Sequence, residues 1–220
     1  MHVNCSLREE ASDFNYLVFR MKGGSMRLII LNRKRLGVTV IIVGLMVVLF
    51  GLEKKFDGRL KYVALMQSNI NTLVKYDVPE LNFSYKLPDN WTANKKDFGG
   101  GEIVYHNDFD SEDAVIHGFV QVWKLNQDLK SFLDKSKEVN KQYAEYSEYN
   151  MTPIVIKKHE GYLITYTMKT DTDTNFKGYE YFLKDTDKFF RFSFYVRDKN
   201  FKENMPTIFK TIVETFELKK

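Results

Sequence analysis

The chain opens on a stretch with no regular hydrophobic period and then, from Leu36 to Leu52, runs for seventeen residues without a charge. A helix on the surface of a soluble domain shows polar residues every third or fourth position, because one side meets water. Here Val38, Val40, Ile41, Ile42, Val43, Leu45, Met46, Val47, Val48, Leu49 and Phe50 would point all round the axis. At ~1.5 Å per residue the run covers roughly 25 Å, just enough to cross a bilayer's hydrocarbon core. The pattern predicts a transmembrane helix over 36–52, held in lipid by Leu36, Val40, Ile41, Ile42, Leu45, Val48, Leu49 and Leu52. Residues 53–78 are mixed, with an irregular helical stripe through Leu60, Val63, Ala64, Ile70, Leu73 and Val74, and predict a juxtamembrane stalk.

From residue 79 the period becomes two. Leu81, Phe83, Tyr85 and Leu87 alternate with polar residues until Pro88-Asp89-Asn90 ends the run, which reads as a half-buried strand. Glu102–His106 and Val115–Lys124 give two more strands, the second with Ile116, Val120 and Val122 opposite Phe119 and Trp123. Residues 127–146 switch to a helical period, placing Leu129, Phe132, Leu133, Val139, Tyr143 and Tyr146 on one face. Pro153–Lys158 and Tyr162–Lys169 predict a hairpin turning at His159-Glu160-Gly161, with the glycine supplying positive φ. Lys177–Leu183 and Lys188–Val196 predict another, in which Phe190, Phe192, Phe194 and Val196 line one face. Met205, Ile208, Phe209, Ile212, Val213 and Phe216 recur at helical spacing, with Pro206 suited to the first turn, so the pattern closes on an amphipathic helix. The sum is an α+β domain over 79–220, a mostly antiparallel sheet flanked by helices.

The flanks of the apolar run set its orientation. Arg33-Lys34-Arg35 abuts it on the N-terminal side, and basic clusters resist translocation, so residues 1–35 are expected in the cytoplasm and the domain outside. The run resembles the core of a signal peptide, but no small-x-small cleavage pattern follows it in Phe50-Gly51-Leu52-Glu53-Lys54-Lys55, and no cysteine follows that could be acylated. An uncleaved signal anchor is the expectation. Within the first segment, Lys22-Gly23-Gly24-Ser25-Met26 is what a purine-rich ribosome-binding site gives when read as protein, which points to Met26 as the translation start.

Charge adds one exclusion. Residues 1–78 hold 12 Lys and Arg against 6 Asp and Glu, a net of +6; residues 79–220 hold 21 against 23, a net of −2. The chain's +4 therefore belongs to the anchor region, and the evenly mixed domain lacks the basic face that nucleic acid requires. Cys5 is the only cysteine, so no intrachain disulfide or cysteine-held metal is expected. The Lys-, Asn-, Tyr- and Phe-rich usage suggests an AT-rich bacterial genome.

The stretch LNFSYKLPDNW (81–91), the hairpin-rich middle and the TIFKTIVETFEL end resemble the PsbP/Mog-like superfamily. The resemblance implies an α/β/α sandwich over about 79–220, behind the N-terminal anchor. Members support photosystem II or bind a small GTPase, and many bacterial relatives are exported proteins of unknown role. Neither named activity is expected of a domain anchored outside a non-photosynthetic cell, since a fold does not specify a function.

Candidate chemistry is sparse. His106-Asn-Asp108-Phe-Asp110-Ser-Glu112-Asp113 offers oxygen ligands at alternating positions, as calcium wants, and Asp108, Asp110 and Glu112 are the candidate ligands. The stretch fails as an EF-hand, with Asp113 where glycine belongs and Phe119 where the bidentate Glu belongs. No G-x-S-x-G or H-E-x-x-H motif is present, and His106, His117 and His159 are scattered, so an enzyme is not expected and no cofactor is implied. Trp91, Tyr143, Tyr146 and Tyr149 are candidates for an aromatic partner surface. The expected role is a non-catalytic, membrane-anchored interaction or assembly module of a bacterial cell envelope, with a lipid-embedded anchor and a protein partner. The alternative is a metal- or small-ligand-binding sensor built on an acidic loop over residues 106–113.

Overall fold

The protein is described here from a computed structural model. Residues 16–18, 30–98, 101–124, 127–140, 145–170 and 173–219 are described. Cys5, Met26, Gly99, Gly100 and Tyr143 lie outside them. The chain divides into two compact units, Met1–Gly58 and Arg59–Lys220.

In the first unit, β1 (Tyr16–Val18) pairs antiparallel with β2 (Ile30–Asn32), and helix α1 (Arg33–Gln67) begins directly afterwards. Its apolar stretch is long enough and apolar enough to cross a membrane, and no part of that stretch is buried against protein. Its last turns belong to the second unit. There Ala64 is buried and Lys61 pairs with Glu214 at 2.6 Å. The helix stops where Asn69 turns left-handed (φ 55°), with Ile70 N–H donating to Leu65 C=O and Asn69 N–H to Met66 C=O. This is a Schellman cap, closed by burial of Ile70.

The second unit is built on a seven-stranded antiparallel sheet, order β5-β6-β7-β11-β10-β9-β8. Its strands are β5 (Thr92–Lys96), β6 (Ile103–Asp110), β7 (Ile116–Lys124), β8 (Glu145–Ile156), β9 (His159–Lys169), β10 (Asn175–Lys184) and β11 (Lys188–Arg197). One face packs on helix α3 (Met205–Val213) and on a three-stranded sheet of β3 (Leu73–Val78), β4 (Phe83–Pro88) and β12 (Glu217–Leu218). The other face is covered by helix α2 (Leu129–Asn140). This is the expected α+β architecture, with sheets flanked by helices.

Alternation explains both layers. Phe190, Phe192, Phe194 and Val196 all point into the α3 core, where Phe194 stacks on Phe209 at 4.4 Å and Phe83, Tyr85 and Leu87 of β4 close in from the small sheet. Phe189, Arg191 and Tyr195 alternate with them toward α2. A β11 buried on both faces is consistent with its near-continuous apolar run.

Several elements differ from expectation. Leu73 and Val74, read as part of a helical stripe, lie in β3 and pair with Pro88 and Leu87. The helix expected over 127–146 ends at Asn140, Val139 is exposed, and Tyr146 is the second residue of β8. The β8–β9 hairpin turns two residues earlier than predicted: Lys157 and Lys158 take the positive φ values, 47° and 75°. Gly161 sits within β9, where a Cβ would overlap the carbonyl oxygen of Phe182, so glycine is required by the close approach of β10. Residues 106–110 are strand, and only Ser111 to Val115 make the turn, with the Ser111 hydroxyl accepting the Val115 and Ile116 N–H groups.

Candidate functional site

The α2-covered face of the sheet carries a buried carboxylate and its donors. Glu180, on β10, is 5% exposed. Its Oε2 accepts from Arg191 Nε at 2.9 Å and Nη2 at 2.7 Å, and its Oε1 accepts from the hydroxyls of Tyr166 (2.5 Å) and Tyr195 (2.9 Å). Four donors fill the acceptor sites of one carboxylate. The arrangement follows from register: Glu180 lies opposite Ile164 on β9 and Ser193 on β11, which brings the donors in from the diagonal positions. Gly178 leaves the room that the Tyr166 ring occupies. Burial, followed by the Glu180 charge, holds the Tyr166 and Tyr195 hydroxyls well above their ordinary pKa, so both stay protonated donors. The Arg191 guanidinium also lies 4.8 Å from the centre of the Phe119 ring and 5.5 Å from that of Phe182.

Between this cluster and α2 lies a cavity of about 260 Å³. The sheet supplies Trp123, Ile164, Phe182 and Phe189 to its walls, and α2 supplies Phe132 and Leu133. Tyr146 and Tyr149 close it from β8. They reach the same side because β8 carries a bulge between Ser147 and Asn150, with Glu148 at φ 53°, which shifts the strand's alternation by one residue. Lys137 Nζ stands 4.3 Å over the Tyr149 ring. Burial and then the Glu180 charge push the Tyr149 hydroxyl up to about 12.

Further along the same face, Trp123 Nε1–H donates to Gln121 Oε1 (2.9 Å), Gln121 Nε2 meets His106 Nδ1 (2.7 Å), and His106 Nε2 meets Asp108 (2.5 Å). Both imidazole nitrogens are therefore engaged, which fixes the tautomer with its proton on Nε2 facing the carboxylate. Burial alone would raise the Asp108 pKa, but the hydrogen bonds from Lys96 and His106 outweigh it and hold the carboxyl below its usual range.

The candidates from sequence distribute as follows. Asp108 and Asp110 point from strand β6, the first to Lys96 and His106 and the second to His117, while Glu112 accepts from Asn90 Nδ2 at 2.9 Å. Among the described residues no group of three or more His, Cys, Asp or Glu is arranged to hold a metal. Trp91, proposed for an aromatic surface, is 7% exposed and stacks on Phe109 at 5.4 Å; it is core. Tyr146, expected on a helix, and Tyr149 are half-buried cavity walls on strand β8. Val40, Ile41, Ile42, Leu45, Val48, Leu49 and Leu52 are exposed on α1; Leu36 belongs to that helix, its side chain outside the described residues. Glu180 and Arg191 are not among the sequence candidates; their signal in the sequence is a charge set between aromatics in each arm of a hairpin, Tyr179-Glu180-Tyr181 and Phe190-Arg191-Phe192.

One antiparallel sheet with a helix on one face, and a helix plus a small second sheet on the other, defines a PsbP-like α+β sandwich. The solution structure of cyanobacterial PsbP (CyanoP) from Synechocystis sp. PCC 6803 shares it, with a TM-score of 0.51 and 10% identity over 67% of this chain and 92% of that one. Two further structures match at lower TM-scores. A Bacteroides thetaiotaomicron protein gives 0.44, with 16% identity over 66% of this chain and 48% of that one. PA94, a Pseudomonas aeruginosa protein of unknown function, gives 0.40, with 12% identity over 66% and 96%. No family model and no curated protein matches the sequence. The likeness to CyanoP is one of fold.

Proposed function

We propose that the protein is a membrane-tethered, non-catalytic interaction module of a bacterial cell envelope, with its N-terminus in the cytoplasm and its PsbP-like domain outside. The observation that carries this reading is the apolar stretch of α1, none of which is buried against protein. Water-exposed, such a surface exceeds what soluble monomers tolerate; in lipid it is stabilising. Arg33, Lys34 and Arg35 at its N-terminal end favour the stated orientation.

A binding role is favoured over a catalytic one by how the polar groups are engaged. Glu180 is saturated, both nitrogens of His106 are occupied, and among the described residues no Ser, Thr or Cys side chain is hydrogen-bonded to a histidine. The nucleophile-and-base pair of acyl transfer is thus missing from this set. Strand β8 is an open edge of twelve residues with Val155 70% exposed, a surface on which a partner strand could add.

The test is photocrosslinking from position 155 in intact cells, with protease shaving of the same cells. The reading expects a discrete adduct from position 155 and digestion of the domain from outside. Protection of the domain from external protease, or no adduct from any exposed position of the unit, contradicts it.

A further inference from the structure

We infer that the cavity between α2 and the sheet binds a small aromatic monocarboxylate. Size sets the first limit: about 260 Å³ is below the roughly 300–1,000 Å³ of drug-sized sites, so the ligand is of the order of one ring with a short side chain. The walls set the second. Trp123 and Phe132 lie 5.9 Å apart centre to centre and Phe132 and Phe189 5.2 Å apart, so a flat ring can continue their offset and tilted packing.

The polar groups decide the charge. Both oxygens of Glu180 are occupied by four donors, which leaves the floor of the cavity without a free carboxylate for a ligand's N–H or O–H. What remains is donors. Arg191 Nη1 has no hydrogen-bond partner among the described residues, because Glu180 takes Nε and Nη2. Lys137 has no carboxylate partner among them and is held over the Tyr149 ring. Tyr149, protonated through the physiological range, and Ser136 also line the space. With Glu180 and Arg191 cancelling, Lys137 leaves the site with a net positive charge. A cation would be repelled, and a neutral hydrocarbon would leave these donors unanswered. A carboxylate on a flat ring satisfies both the walls and the donors.

The inference is independent of membrane placement: a chain that binds such an anion yet washes off membranes would keep this site and lose the anchor. The experiment uses the full chain in lipid nanodiscs, with empty nanodiscs subtracted, and titrates trans-cinnamate by calorimetry and tryptophan fluorescence. Cinnamate should bind one to one and quench Trp123, with the quenching lost in Trp123→Phe. Methyl cinnamate, cinnamylamine and hexanoate should each bind at least tenfold more weakly. Lys137→Gln should weaken cinnamate about tenfold, near 1.4 kcal/mol, and Ser136→Trp, which fills the space from the half-buried side of α2, should abolish binding at an unchanged melting temperature. Absence of heat and quenching with cinnamate overturns the inference. So does an ester, amine or hexanoate that binds as tightly as cinnamate, or a pair of variants that bind like the parent.

Discussion

At Glu180 a single carboxylate gathers an arginine and two tyrosines from neighbouring strands, and truncation would strand the guanidinium of Arg191 beneath α2. Breaking one side of a buried pair typically costs 3–5 kcal/mol, because the remaining charge loses its compensation. Arg191 keeps 23% side-chain exposure, which places the cost at the lower end of that range. Glu180→Ala is therefore expected to lower unfolding stability by about 3 kcal/mol, read as a shift in the denaturant midpoint. A loss below about 1 kcal/mol would mean that the cluster is solvated and its hydrogen bonds are individually replaceable.

Hairpins make the element scale testable. Lys157 and Lys158 sit in the left-handed region, which costs a residue with a Cβ roughly 1–2 kcal/mol, while three positions beyond Lys158 Gly161 meets the backbone of β10. Lys158→Gly should stabilise the protein by about 1 kcal/mol, and Gly161→Ala should destabilise it by about 1–3 kcal/mol as an overpacked site. Thermal melts of the two variants check this, and the opposite pair of signs would restore the turn to His159-Glu160-Gly161. Helix α3 is legible in the sequence because Met205, Ile208, Phe209, Ile212 and Val213 are all buried at helical spacing, and β4 and β11 because Phe, Tyr and Leu alternate there. Strand β5 is not, because an edge strand of Thr, Ala, Asn and Lys has almost no apolar side to declare, and β12 is not because two residues carry no period. Tyr146 has a helical spacing in the sequence because a β-bulge hides the alternation of β8. The Glu180 cluster is illegible for a different reason: its donors lie 11 to 15 residues from Glu180 on the two neighbouring strands, and only register brings them together.

Over the whole molecule, buried phenols set the alkaline limit. Burial is the first cause that raises Tyr85, Tyr149, Tyr166, Tyr181 and Tyr195, with Tyr149 pushed to about 12 and the others further. In the unfolded chain these groups ionise near 10. Between that value and their folded pKa the native state holds protons that the unfolded state releases, so their contribution is intact below about pH 10 and falls as pH rises. Denaturation midpoints should be level from pH 8 to 9.5 and decline steeply above 10.5, in step with tyrosinate absorbance. A level midpoint through pH 11.5 would place these hydroxyls in water.

The proposed membrane tether rests on one energetic preference, that of the exposed side chains from Val38 to Leu52 for acyl chains over water. Alkaline carbonate washing of membranes from cells producing the full chain measures it most directly. The account predicts that the polypeptide stays in the pellet, with residues 36–52 still attached when its peptides are mapped. Release into the supernatant, or a mature N-terminus beyond residue 52, would contradict it.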